Sequence, residues 1–462
     1  MAAKAAVKPD MPAVSLSYPT FAQARRIGAL AMPLSAVQLA QVAISTTDMI
    51  MLGWVGGTAL AAGALGFTLF NLLRTMGFGL VVGTSNLVAE NSRAGIFRAH
   101  LLAGLAIATG AAAIGALVLA FGGLLLPWFG QDEEVTEFAS RYLLFVAPGL
   151  FPLFWFYAYR GLVVGGRRAN LLLLITLGTV VVNAVLDYGF LFGAFGLPAL
   201  GVPGVAASSS ISYLLQFVAI ASVTHGTTRF VREKSAAEIG SALRRILKIG
   251  VPTAGSYASE AGFTTLIALM AGTYGAAALA AHAAVNQIIY VIFMLSIGLS
   301  HATSIGVSEA IGTHNGAAAL GAGRSGLCLG FAVVSAFSFL LLLFPSEVLA
   351  LFSIKPDGEA GLHEIATGLL FAAALFQILD FLQNIGIGAV RGIGRAGQGF
   401  WITIGSYWIV GAPTAWLVGF HLYPGVLGVW SGMGAGLAAA ATGMVLLFER
   451  GVAPAAVAEP AR

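Results

Sequence analysis

Four acidic side chains stand inside long apolar runs: Asp48, Asp187, Glu260 and Asp380. A carboxylate at the centre of a membrane helix costs about 2.5–3.5 kcal/mol. Four of them facing lipid would cost roughly 10–14 kcal/mol together, comparable to the whole stability of a domain. They must face a wet cavity, pair, or bind a proton or a metal ion. Each sits on a polar stripe whose steps of three and four residues mark one face of a helix. The stripes are Gln38, Gln41, Ser45 and Asp48; then Thr176, Thr179, Asn183 and Asp187. Two more follow, Ser256, Glu260 and Thr264, and Gln377, Asp380 and Asn384. Hydrogen bonding between helices, worth about 0.6–2 kcal/mol per contact, accounts for the Ser and Thr. It does not account for ionisable groups, whose chemistry is reversible binding of protons or small cations.

Asp48 and Asp187 lie near the same end of their runs, and Glu260 and Asp380 lie closer to the middle of theirs. This arrangement predicts two distinct ion sites, one in each half of the chain. Arg74 is the one basic residue expected inside a span, and Asp48 is a candidate partner, as a structural or a gating pair. His282 is the histidine whose titration could carry a proton, and Gln287 lies one turn beyond it. These three are candidate cavity residues. Pro33 and Pro252 each interrupt a helix and mark either a static kink or a hinge. Trp155, Phe156, Tyr157 and Tyr159 are candidate substrate contacts, against the alternative that they form an interfacial aromatic belt. None of the glycines belongs to a phosphate loop.

The elements that must position these groups follow from composition. Of 462 residues, 58% are hydrophobic and 9% are charged. A soluble domain so poor in charge could not cover its surface, so the chain is membrane-class. One cysteine, Cys328, excludes a disulfide framework and a cysteine-rich metal site. Twelve stretches are long enough to cross a bilayer as helices, which takes about 20 residues. They lie near 27–53, 59–89, 99–127, 138–163, 170–192, 201–224, 248–273, 278–310, 316–345, 361–390, 398–420 and 424–448.

All but three of the 23 Lys and Arg residues fall on the side that holds both termini. The exceptions are Arg74, inside a span, and Arg141 and Lys355 on the other side, where Gln131-Asp132-Glu133-Glu134 forms an acidic loop. The positive-inside rule then makes both termini cytoplasmic.

The chain also repeats itself 219 residues on. Arg25-Arg26-Ile27 returns as Arg244-Arg245-Ile246, Pro33 as Pro252, Gly79-Leu80 as Gly298-Leu299, and Glu90 as Glu309. Gln41 is the counterpart of Glu260 and Ile267 of Asp48, so each half keeps an acid where the other does not. The expected organisation is a cytosolic tail over 1–24, a first lobe of six helices over 25–224 and a cytosolic linker over 225–247. A second lobe of six helices follows over 248–448, and a cytosolic tail over 449–462. An even number of spans in each half makes the two lobes related by a pseudo-twofold axis along the membrane normal.

With these residues laid out, the chain resembles the multidrug and toxic compound extrusion (MATE) transporters over about residues 25–448. The strings that carry the resemblance are Pro33 followed by Thr47-Asp48-Met49-Ile50-Met51-Leu52-Gly53; Leu279-Ala280-Ala281-His282 with Asn286-Gln287; and Arg391-Gly392-Ile393-Gly394. The resemblance implies two six-helix lobes around a V-shaped central cleft. It implies an antiporter of the plasma membrane that exports organic, mainly cationic, compounds by alternating access, driven by H+ or Na+. It implies a monomer among lipids, with no cofactor, no structural metal and no nucleic-acid partner. Glu260 and Asp380 are similar to the acidic pair of the NorM-like branch, which is often sodium-coupled. Asn183 with Asp187 is similar to the DinF-like pattern, associated with protons, and Asp48 matches both. Alternatives are a lipid or lipid-linked oligosaccharide flippase of related fold and, further off, a membrane-embedded enzyme or a channel.

Overall fold

The computed structural model describes residues 20–90, 97–126, 133–165, 168–228, 236–351, 354 and 361–457. Lys4, Lys8, Arg93, Gln131, Asp132, Arg167, Arg229, Arg232, Lys234, Lys355 and Arg462 lie outside the described residues, as do the outer parts of both tails. Among the described residues the chain forms twelve long helical segments. The first lobe holds α1 (Phe21–Val55), α2 (Gly57–Val81, carried on by Gly83–Glu90) and α3 (Phe97–Leu125). Then come α4 (Glu133–Val146, joined through Ala147–Gly149 to Leu150–Gly165), α5 (Ala169–Phe192) and α6 (Val202–Thr228). The second lobe holds α7 (Ala236–Gly272), α8 (Ala276–Gly312), α9 (Gly316–Leu343), α10 (Leu362–Gly392), α11 (residues 396–422) and α12 (Val426–Val457). Ten of these are long and apolar enough to cross a membrane by length and composition. The remaining two are α7, a continuous helix that carries Pro252 and Glu260, and α11, which is divided by two π-helical stretches.

Two boundaries differ from the sequence expectation. Helix α1 starts at Phe21, where the hydroxyl of Thr20 accepts the Gln23 N–H at 3.2 Å and the Gln23 side chain accepts the Thr20 N–H at 3.2 Å. This reciprocal cap fixes the first turn. The linker expected over 225–247 is mostly helical, because α6 runs to Thr228 and α7 begins at Ala236. The reason is amphipathicity: Ala242, Ile246 and Ile249 face inward while Arg244, Arg245 and Lys248 face out.

The lobes meet in two contacts that the repeat interchanges. Helix α1 packs on α8, and α2 packs on α7. At the centre of each crossing stands a glycine. A Cβ on Gly79 would lie 2.8 Å from Ala254 Cα, and one on Gly298 would lie 2.7 Å from Ser35 Cα. Gly79 and Gly298 are repeat counterparts, as are Ser35 and Ala254. Small residues let membrane helices approach this closely.

Nearer the face that carries the chain termini, two ion pairs cross between the lobes. Arg26 Nη2 lies 3.0 Å from Glu309 Oε1, and Arg245 Nη2 lies 2.7 Å from Glu90 Oε1. Arg26 maps onto Arg245 and Glu90 onto Glu309, so one ion pair is the image of the other. Toward the opposite face the lobes part around a cleft of about 530 Å³. Its lining runs from Ala268 and His282 down to Gln38, Phe78, Arg160 and Ile297.

Overpacking a close crossing costs about 1–3 kcal/mol. Gly79→Ala and Gly298→Ala are therefore each expected to lower the melting temperature of the purified protein, read by intrinsic fluorescence. Gly110→Ala, where an added Cβ meets nothing within 4 Å, is expected to leave it unchanged.

Candidate functional site

The first acidic pair is assembled from three helices. Asp48 on α1 is 2% exposed and Asp187 on α5 is fully buried. Their carboxyl groups face each other within hydrogen-bonding reach. Ser209 on α6 donates to Asp48 Oδ2 at 3.1 Å, and Asn183 Nδ2 donates to Asp187 Oδ1 at 3.3 Å and to Ser208 Oγ at 3.2 Å. Three buried acceptor oxygens have no donor: Asp48 Oδ1, Asn183 Oδ1 and Asp187 Oδ2. Buried acceptors without partners are costly, and facing carboxylates repel unless a positive charge sits with them. This donor set fits a proton or a small cation. Asp48 also lines a small pocket of about 10 Å³ with Gln41, Ser45, Arg74, Tyr142 and Tyr213, room for one water-sized particle.

The second acidic pair has a different setting. Glu260 on α7 and Asp380 on α10 are half-buried and line the large cleft. Gln377 lies one turn before Asp380, is 2% exposed, and neither of its amide atoms has a partner. Asn384, by contrast, is committed to helix packing: its Nδ2 donates to Ser296 Oγ and its carbonyl accepts from Ser300 Oγ, both at 2.7 Å. The structure thus brings Asp48 to Asp187 and Glu260 to the cleft wall with Asp380, and keeps the two pairs in separate compartments. Gln41, Arg74 and Tyr157 line both, forming the wall between them.

Most Ser and Thr residues of the stripes bond within their own helix. Thr179 donates to Ile175 O at 2.9 Å, Thr264 to Glu260 O at 3.0 Å, and Ser45 to Val42 O at 3.0 Å. A hydroxyl satisfied by the preceding turn needs no interhelical partner. Arg74 does not form the ion pair considered for it: its guanidinium donates to Asn71 Oδ1 at 2.6 and 3.1 Å. The two residues lie one turn apart on α2, so the bond forms locally. Gln287 does not line the cleft and faces outward; its neighbour Asn286 lines it instead, since one residue is about 100° around a helix. Of the four candidate aromatics only Tyr157 reaches the cleft. Trp155 and Tyr159 pack on Phe217, and Phe156 is buried in the lobe.

Two residues counted from sequence among the loop cations are interior. Arg160 is 3% exposed, donates to Gln38 Oε1 at 3.2 Å, and lies 4.8 Å over the Phe78 ring in the floor of the cleft. Arg391 is 1% exposed and donates through Nε to Ser304 Oγ at 3.2 Å. Both stand in the last turns of their helices, where sequence cannot separate an inward from an outward face. Other residues that sequence passed over are Ser208, Ser209, Tyr290 and Tyr407; the Ser208-Ser209-Ser210 run inside an apolar helix is the signal that could have revealed the first two. Pro33 and Pro252 lie within continuous helices.

His282 lines the cleft, and the Trp430 indole N–H donates to its Nδ1 at 3.0 Å. A ring nitrogen that accepts a hydrogen bond carries no proton, which fixes the neutral imidazole with its proton on Nε2. This geometry speaks against the proton-carrying role considered for His282. Trp430→Phe leaves Nδ1 buried and unpaired and is expected to cost about 1–3 kcal/mol in thermal unfolding. Adding His282→Ala to it should cost little more, because the two effects share one bond.

The MatE family model matches residues 33–189 and again 252–417, its second match starting 219 residues after the first. A probable multidrug resistance protein NorM of Pseudomonas aeruginosa is 34% identical over 450 residues, covering 94% of this chain and 91% of that relative. A NorM of Burkholderia vietnamiensis, described as a multidrug resistance protein, is 33% identical, covering 91% and 92%. Among solved structures, the eukaryotic MATE transporter AtDTX14 superposes with a TM-score of 0.83 at 18% identity, covering 94% of this chain and 98% of that one. An outward-facing MATE family multidrug resistance transporter of the MOP superfamily superposes at 0.82 and 22%, covering 94% and 96%.

Proposed function

The chain belongs to the MatE family of multidrug efflux transporters, and we propose that it is a cation-coupled antiporter that expels bulky organic cations by alternating access. The observation that carries this reading is the pairing of a one-particle pocket holding Asp48 with a drug-sized cleft holding Glu260 and Asp380, across a wall shared at Arg74. Clefts that take small organic molecules measure about 300–1,000 Å³. A proton or small cation entering at Asp48 and Asp187 neutralises that pair. Arg74, on the wall between the compartments, is then no longer drawn to that pair, and its guanidinium swings from Asn71 toward Glu260 and Asp380. The organic cation held there loses its counter-charge and leaves. One pH unit supplies about 1.4 kcal/mol per proton, and 100 mV supplies about 2.3 kcal/mol per charge moved.

The protein is a multi-pass membrane transporter, and its likeness to bacterial multidrug resistance proteins supports a location in the plasma membrane. Its proposed orientation puts both termini in the cytoplasm, which makes the present cleft outward-facing. The lobes over 25–224 and 248–448 would rock as two units about the paired crossings, with Pro33 and Pro252 as hinges. The symmetric pairs Arg26–Glu309 and Arg245–Glu90 close the cytoplasmic side. Exposed ion pairs contribute about 0.2–1 kcal/mol each. Two can bias a conformational equilibrium a few-fold and still break once per cycle. Arg74 and Arg160 give one wall of the cleft the positive charge that an anionic lipid-linked cargo would need. Glu260 and Asp380 on the other wall, and the multidrug naming of the relatives, favour cations.

Transport of a fluorescent cationic dye in proteoliposomes tests the reading, with a proton gradient and a sodium gradient imposed separately. Dye movement is expected under at least one gradient, with Asp48→Asn and Glu260→Gln each reducing it about tenfold or more. Dye movement insensitive to both gradients, or undisturbed in both variants, would refute the antiport mechanism.

A further inference from the structure

On the side of the chain termini the cleft is closed by a plug whose ends are related by the repeat. Phe78 on α2 and Ile297 on α8 line the cleft floor, and Glu90 and Glu309 hold the ion pairs at the far edge. Phe78 maps onto Ile297 and Glu90 onto Glu309 under the same 219-residue shift. The plug is therefore about 18 Å deep on either helix, at about 1.5 Å per residue. Helices touch closely along this length. A Cβ on Gly250 of α7 would lie 2.0 Å from Leu80 O, and one on Gly312 of α8 would lie 2.0 Å from Glu90 O.

The seam inside the plug is nevertheless polar. Asn86 Nδ2 on α2 donates to Ser304 Oγ at 2.7 Å and to Ser308 Oγ at 2.8 Å on α8, joining the two lobes. Arg391 on α10 donates through Nε to the same Ser304 oxygen, which puts its guanidinium at the seam. Nearer the cleft, Phe78 stacks on the His301 ring at 5.1 Å between centroids and 14° between planes. Arg160 on α4 lies over that same Phe78 ring. Both guanidiniums are close enough to His301 for their charge to reach its ring. Asn86 Oδ1 and His301 Nε2 are buried without partners. Such atoms give water a foothold, and hydrated polar chains relay protons through membrane proteins.

Arg160 and Arg391 carry whole charges, because a guanidinium does not give up its proton in a protein. Neither charge is neutralised. Arg160 bonds an amide oxygen of Gln38 and Arg391 a serine hydroxyl, and among the described residues no carboxylate pairs with either. Arg160 Nη2 and both terminal nitrogens of Arg391 are buried without an acceptor. The carbonyl end of α10, beside Arg391, offers only about half a negative charge. An uncompensated charge in a low-dielectric seam projects a strong positive potential. Burying it is a cost to stability, which calls for another use.

We propose that Arg160 and Arg391 are the cation barrier of the closed plug: their unneutralised charges stop protons and sodium ions from leaking between the cleft and the opposite side. Positive side chains do this in selective pores, where an arginine excludes protons and cations that the opening could otherwise pass. The two act in series, Arg160 at the floor and Arg391 about halfway down the seam, level with Ser304. An antiporter needs such a barrier, since a cation that crosses without its exchange partner dissipates the gradient. The inference rests on the antiport reading of the cleft and adds the residues that keep exchange from becoming leak.

The test is passive ion flux through the full-length protein in liposomes that hold no organic cation. A potassium diffusion potential draws cations inward, and proton entry, 22Na+ entry and 36Cl− flux are read separately. The parent is expected to leak no more than protein-free liposomes. Arg391→Met fills much of the same space without the charge, and Arg160→Gln removes the charge at the floor. Each is expected to raise proton entry, 22Na+ entry or both about tenfold and to leave 36Cl− flux unchanged. Cation entry unchanged in both variants overturns the barrier. Equal rises in cation and chloride flux also overturn it, because they mark a seam pulled apart rather than a charge removed. Thermal unfolding checks that each variant is folded, and should one fail to fold, the other decides alone. Dye movement under an imposed gradient is measured in the same preparation. Its absence in the parent overturns the antiport reading, while the flux comparison still decides the barrier.

Discussion

Hydrocarbon offers no hydrogen bonds, and this single constraint organises the molecule. Every backbone group must be satisfied within its own segment, so the chain folds as helices throughout its membrane portion. Every carboxylate must be compensated, so the four interior acids can exist only where other polar groups or water-filled space reach them. The lobed architecture supplies both conditions. Asp48 and Asp187 are closed in by Ser208, Ser209 and Asn183 from neighbouring helices, while Glu260 and Asp380 stand on the wall of a cleft that a single compact bundle would not possess.

The duplicated sequence has a direct counterpart in how the lobes touch. A contact between one copy's first helix and the other copy's second must occur twice in a twofold arrangement, and it does, as α1 on α8 and α7 on α2. The glycines at both crossings and the ion pairs at both edges are images under the same 219-residue shift. What is not symmetric is the chemistry. The first lobe keeps Asp48 where the second has Ile267, and the second keeps Glu260 where the first has Gln41. A symmetric frame therefore carries one enclosed acidic pocket and one acidic surface open to the cleft. Two compartments with different access are what exchange of a small ion for a large guest requires.

Much of this was legible from residue order because membrane helices obey strong local rules. Length, apolarity and the placement of basic residues fix the spans, and the repeat fixes their grouping. The four acids declared themselves because each is expensive where it stands. The cations did not. Arg160 and Arg391 lie in the last turns of apolar helices, where an arginine can as easily reach water as turn inward. Only the proximity of Gln38 and Phe78 decides for Arg160, and of Ser304 for Arg391. Gln287 and Asn286 show the same limit at finer scale, since one step around a helix separates a cleft residue from an outward one.

The sequence by itself determined the class of protein, the helical spans, the twofold organisation and the four interior acids, because these follow from the repeat and from what lipid forbids to each segment separately. The tertiary structure alone decided which acids meet, which wall Arg74 occupies, that His282 is held neutral by Trp430, and that Arg160 and Arg391 turn inward. Those facts depend on how helices are rotated against one another and on contacts between residues far apart in the chain, neither of which a local pattern of residues encodes.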